Sequence, residues 1–117
     1  MAKPEDIAIT VLAQLQLILL SSQQMQAFAE AEQWDRLINE DQRRLQLQGV
    51  LQSFVWPDAS WTDMQRERAS GLLRQILACN AAIEQYAGAW RDELRSILAE
   101  VRISSRVSNT YANNSGV

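Results

Sequence analysis

The chain has 117 residues, 47% of them hydrophobic, with only 4 Gly and 2 Pro and a net charge of −3. That length suits one domain with a modest core, and so few turn residues point to long helices. The acid excess argues against nucleic acid as the main partner, and one Cys with no His excludes an internal disulfide, the common zinc sites and Cys–His catalysis.

The N-terminus, Met-Ala-Lys-Pro-Glu-Asp, lacks the basic-then-apolar layout of a signal peptide, and a lone thiol fits a reducing compartment. The protein is therefore expected in the cytoplasm. Pro4, followed by Glu5 and Asp6, suits the first turn of a helix over about 5–31. No charge occurs from Ile7 to Ala29, a length that would span a bilayer, but Gln14, Gln16, Ser21, Ser22, Gln23, Gln24 and Gln26 make insertion too costly. Val11, Leu15, Ile18, Ser22 and Met25 form one apolar stripe, widened by Leu12, Leu19 and Phe28. Leu17 and Leu20 add apolar surface beyond what one neighbour needs, which calls for a sister subunit, a client or a central place in a bundle.

A break falls at Glu30 to Gln33, although no Gly or Pro marks it. A second helix, about 33–55, has the seam Trp34, Leu37, Ile38, Asp41, Leu45, Gln48, Leu51, Phe54 and Val55. Arg43 and Arg44, like Arg66, Arg68 and Arg74, read as solvated helix faces beside acids. Trp56-Pro57-Asp58-Ala59-Ser60 is the clearest turn, with Asp58 or Ser60 expected to cap the next helix.

The third helix, about 60–103, carries the longest pattern in the chain. Ala69, Leu73, Ile76, Asn80, Ile83, Ala87, Trp90, Leu94, Ile97 and Val101 recur in alternating steps of four and three. That is the heptad rhythm of a helix packed lengthwise on others, over a rod about 60 Å long. Asn80 is its one polar member, an amide that fixes register. This helix outruns its partner, so the surface of Leu94, Ile97, Leu98 and Val101 needs cover from the first helix, another chain or the tail. After it, Ile103-Ser104-Ser105 weakens the helix, and a short helix is expected over 105–112. The fold class is all-α: one domain over 1–117, an antiparallel bundle of three long helices plus a short C-terminal helix, built on a coiled-coil-like hairpin.

Nothing supports an enzyme. There is no Gly-rich phosphate loop, no Ser elbow and no His base, and the pairs Glu30 with Glu32, Glu40 with Asp41 and Asp92 with Glu93 read as solvent-facing helix acids.

Two patterns resemble the flagellar export chaperone FliT family. The first is the break leading into Ala29-Glu30-Ala31-Glu32-Gln33-Trp34-Asp35-Arg36-Leu37; the second is Arg91-Asp92-Glu93-Leu94-Arg95-Ser96-Ile97-Leu98, running on to Asn109-Thr110-Tyr111. The resemblance covers most of the chain, from about Leu15 to Tyr111, with Ala112 standing where the family has Gly. The resemblance implies a cytoplasmic chaperone of flagellar type III secretion, without cofactor or metal, that holds the filament-cap protein FliD and delivers it to the export ATPase complex. In some enterobacterial members it implies binding of the regulator FlhDC as well. The client groove would be formed by Ile76, Ile83, Trp90, Leu94, Ile97, Leu98 and Val101, the helix-in-groove mode of recognition. By the same resemblance, a displaceable C-terminal cover would include Val107 and Tyr111, whose ring and hydroxyl make an exchangeable contact. The other readings are a FlgN-type chaperone for hook–filament junction proteins, a regulatory adaptor, and a structural coiled coil that forms a homodimer through the first helix.

Overall fold

The structure, a computed structural model, describes residues 4–57 and 59–115, with side chains described over 6–57 and 59–100. The protein is all-α, and the described residues form three helices in the order α1 (Pro4–Glu30), α2 (Trp34–Gln52) and α3 (Asp63–Ser115). The chain gathers by contact into two compact units, Met1–Glu84 and Gln85–Val117.

In the first unit α1 supplies most of the core. Ala8, Val11, Leu15, Ile18, Leu19, Met25 and Ala29 are all buried, and so are Ser21 and Ser22. Leu51 of α2 joins them, with Leu47 and Phe54 packed alongside, as do Ala69, Leu72, Ile76 and Cys79 of α3. Each large aliphatic side chain in this cluster contributes about 1.5–3 kcal/mol by leaving water. Trp61 is buried and stacks on Trp56, ring centroids 6.1 Å apart and 16° between planes. Their stack closes the end of the core nearest the connection, where the Trp56–Pro57 peptide is cis.

α1 stops without Gly or Pro because its last carbonyls are paired in another way. The Gln33 amide donates to Phe28 O at 2.8 Å and the Glu32 amide to Ala29 O at 3.1 Å. That pair of bonds is a Schellman motif, and it places Glu32 in the left-handed region at φ 57°. α2 then begins without a side-chain cap on Gln33. α3 begins with a capping box: the Gln65 amide donates to Thr62 Oγ1 at 3.1 Å, and the Thr62 amide to Gln65 Oε1 at 2.9 Å. The cap expected at Asp58 or Ser60 is thus Thr62; Asp58 lies outside the described residues.

Polar contacts set the directions in this unit. Gln14 Nε2 donates to Leu47 O at 2.9 Å and Arg44 Nη1 to Ser22 Oγ at 3.1 Å, so α1 and α2 run antiparallel. Arg68 Nη2 reaches Gln16 Oε1 at 3.5 Å, while Arg44 bridges Ser22 to Asn80, so α1 and α3 run in the same sense.

Several expectations change. Arg44 is not on a solvated face: its side chain is 13% exposed and contacts Ser22, Asn80 and Asp41 together. Glu40 is also covered, its side chain 12% exposed beside Arg43. On α2 the expected seam residues Ile38 and Leu45 are exposed, and Leu47 packs on the core instead; Val55, also expected in that seam, lies past the end of α2 and is exposed. On α3 the buried line is Ala69, Leu72, Ile76, Cys79 and Ile83, with Leu73 exposed and Asn80 half-buried. Leu17 and Leu20 remain exposed, so the excess apolar surface of α1 is not absorbed by the core. The segment expected as a separate helix over 105–112 is backbone of α3 itself, since no Gly or Pro interrupts the run from Val101 to Ser115.

Candidate partner-binding surface

α1 satisfies length and composition for a membrane span over Asp6–Glu30, but its most apolar line, Val11 to Met25, lies in the core of the first unit. Among the described residues no group of three or more His, Cys, Asp or Glu is placed to hold a metal ion. Cys79 is buried, and that burial raises its thiol pKa from the ordinary 9.0, with the Arg44 guanidinium lowering it in part. A neutral buried thiol is a poor nucleophile.

What remains is apolar surface. The candidate groove divides in two along α3. Ile76 belongs to the core cluster and Ile83 is buried, so neither faces an incoming helix. In the second unit the relation reverses: Trp90 is 39% exposed, Leu94 37%, Ile97 49% and Leu98 46%. Val101, Val107 and Tyr111 are in α3, but their side chains lie outside the described residues.

The steps from Trp90 to Leu94 and on to Ile97 are four and three, which puts these side chains on one face of α3 with Leu98 at its edge. Tyr86, 42% exposed, stands four residues before Trp90 and extends the face. Sequence reasoning passed over Tyr86, although its spacing to Trp90 was the available signal. Between Ile83 and Leu94 the apolar line takes two consecutive steps of four, Tyr86 to Trp90 to Leu94, a stutter in the heptad phase.

Charge borders this face on both sides. Glu93 and Glu100 flank one edge, while Arg91 and Arg95 flank the other, and all four are exposed. Arg95 lies 4.0 Å from Asp92, both more than three-quarters exposed. A solvated pair of that kind holds neither side chain firmly. The arrangement is a narrow oily strip with an acidic and a basic border, suited to receiving a helix.

Comparison with known proteins gives a family model, described as flagellar protein FliT, that matches residues 12–113. No curated protein matches the chain.

Proposed function

We propose, because this chain belongs to the flagellar protein FliT family, a family of flagellar export chaperones, that it holds the filament-cap protein FliD unassembled in the cytoplasm and delivers it to the export ATPase complex. The observation that carries this reading is the exposed face of Trp90, Leu94, Ile97 and Leu98 on α3. Four large apolar side chains left in water on one helix face favour burial against a partner, at about 25 cal/mol per Å² covered. An apolar face with a heptad step accepts an amphipathic client helix, and a client held that way cannot pair with its own copies.

Regulation by the segment containing Val107 and Tyr111 is part of the proposal. Those residues share α3 with the face they would cover, so covering it requires a break between the two. Ile103-Ser104-Ser105 is the weakest helical stretch available for that break. Restraint of the regulator FlhDC is a second activity of the same reading.

A titration of the full chain with the C-terminal segment of the cognate cap protein tests the core of the proposal. Trp90 emission should shift to the blue and saturate, and Trp90→Phe should remove that change. Replacing Leu94 and Ile97 together with Asp should abolish binding; binding that survives this change refutes the assignment of the face. Truncation after Val101 should tighten binding, and unchanged or weaker binding ends the cover model. Capture of the junction protein FlgK in preference to FliD would favour the FlgN-type reading, and competition by purified FlhDC reads out the regulatory activity.

A further inference from the structure

The two borders of the apolar face on α3 carry opposite charge, and this restricts what can lie on it. With Leu94 and Val101 at position a of the heptad and Trp90 and Ile97 at position d, Glu93 and Glu100 both fall at g and Arg91 at e. Arg95 lies one turn beyond Arg91 on the same side, exposed and 4.0 Å from Asp92. Each edge therefore has a single sign over about two turns of helix.

A second copy of this face fits poorly. Set antiparallel, the acidic border meets the acidic border and the basic meets the basic. Set parallel, Glu93 comes opposite Leu98 and Glu100 opposite Ser105, so no ion pair forms. Like charges at the border suppress wrong partners, and opposite ones fix orientation and speed encounter.

We propose that the occupant of this face is an amphipathic helix of another protein with two unlike borders: lysine or arginine against Glu93 and Glu100, and aspartate or glutamate against Arg91 and Arg95. The inference rests on the reading of the face as the client site, and it adds the charge pattern that a client helix must carry. The same pattern sets the direction in which that helix lies. A helix with its cations at e and anions at g lies parallel to α3, and one with the opposite arrangement lies antiparallel.

The test uses the full chain and three designed helical peptides that share one Leu/Ile heptad core. One has a basic and an acidic border, one has two acidic borders and one has two basic borders. The two-sign peptide should bind about tenfold more tightly than either single-sign peptide at low salt, and the gap should narrow at about 1 M salt. The variant with Glu93→Lys and Glu100→Lys should shift preference to the doubly acidic peptide. The variant with Arg91→Glu and Arg95→Glu should shift it to the doubly basic one. All four positions are exposed, and circular dichroism checks that the variants stay folded. Equal binding of the three peptides, no binding of any, or self-association that buries Trp90 overturns the proposal. If the peptides bind equally while the cap-protein segment binds and is lost with the Leu94 and Ile97 changes, the charge rule fails and the chaperone reading stands. If the charge preference appears but the cap-protein segment does not bind, the reverse holds.

Discussion

Arg44 of α2 donates a guanidinium hydrogen to the side-chain carbonyl of Asn80 on α3, and the same nitrogen donates to Ser22 of α1 at 3.1 Å. One side chain thus ties all three helices at a single level of the first unit. Ser22 is fully buried and Asn80 is half-buried, so both rely on Arg44 for a partner that water does not readily replace. Arg44→Ala should lower the unfolding free energy by about 2–4 kcal/mol in urea titrations, because it strands polar groups as well as removing contacts. Asn80→Ala should cost less, about 1–2 kcal/mol, since Arg44 keeps Ser22 and Asp41. The double variant should be clearly less destabilised than the sum of the two, because both changes remove the same bond.

Cys79 sits beside this node, and its titration gives a signed expectation. Burial raises its folded pKa above 9.0, so the folded state disfavours the thiolate relative to the unfolded chain. The contribution is therefore fully present below the unfolded pKa and is lost as pH rises through the folded one. Urea midpoints measured from neutral to about pH 10 should fall on the alkaline side, and Cys79→Ala should flatten that fall. Since Arg44 lowers this pKa, Arg44→Met should push it further up and slow alkylation of the thiol at fixed pH in the native state.

Much of the first unit was legible in the sequence. The α1 stripe Val11, Leu15, Ile18, Ser22 and Met25 is buried at every position, because a single 3.6-residue face is unambiguous over about four turns. The phase on α3 was not, since Leu72 and Leu73, like Cys79 and Asn80, are adjacent and both satisfy a rhythm of threes and fours. Packing selected Leu72 and Cys79 and left Asn80 at the edge, where it can reach Arg44. Arg44 itself was hidden by composition: beside Arg43, Glu40 and Asp41 it looks like any charged surface turn, and only the facing Ser22 and Asn80 draw it inward. The apolar repeat from Trp90 to Leu98 was legible as periodicity, but its exposure was not, since Ile76 and Ile83 on the same periodic line are buried while Trp90, Leu94, Ile97 and Leu98 are exposed.

Glu32 holds the left-handed position of the Schellman motif, and its side chain is exposed. A residue with a Cβ is strained there and Gly is not. Glu32→Gly should therefore stabilise the first unit by about 0.5–1 kcal/mol despite the added freedom of the unfolded chain, whereas Glu32→Val should destabilise it. Thermal unfolding of the two variants in parallel gives the sign directly.

The reciprocal bonds of Thr62 and Gln65 satisfy amides that the first turn of α3 otherwise leaves open. Thr62→Ala should cost about 1 kcal/mol, and Thr62→Asp should retain most of the stability because a carboxylate accepts the same Gln65 amide next to the positive helix end. Gln65→Ala in the Thr62→Ala background should add little if the box acts as a unit, which a double-mutant cycle measures.

Ile83 and Ile97 lie on the same helix, two heptads apart, yet their substitution should read out in different assays. Ile83 is 7% exposed, so Ile83→Ala leaves a cavity and should cost about 2–4 kcal/mol of stability. Ile97 is 49% exposed, so Ile97→Ala removes little that the isolated chain has buried, and its unfolding curve should move by under about 0.5 kcal/mol. Against a client the order inverts: Ile97→Ala should weaken binding about tenfold or more if a partner helix buries that side chain, while folded Ile83→Ala should bind as the parent does. Both variants measured by urea titration and by client titration give four numbers. Should Ile97→Ala leave client affinity unchanged while Ile83→Ala reduces it at full folding, the client would be reading the first unit rather than the exposed face of α3.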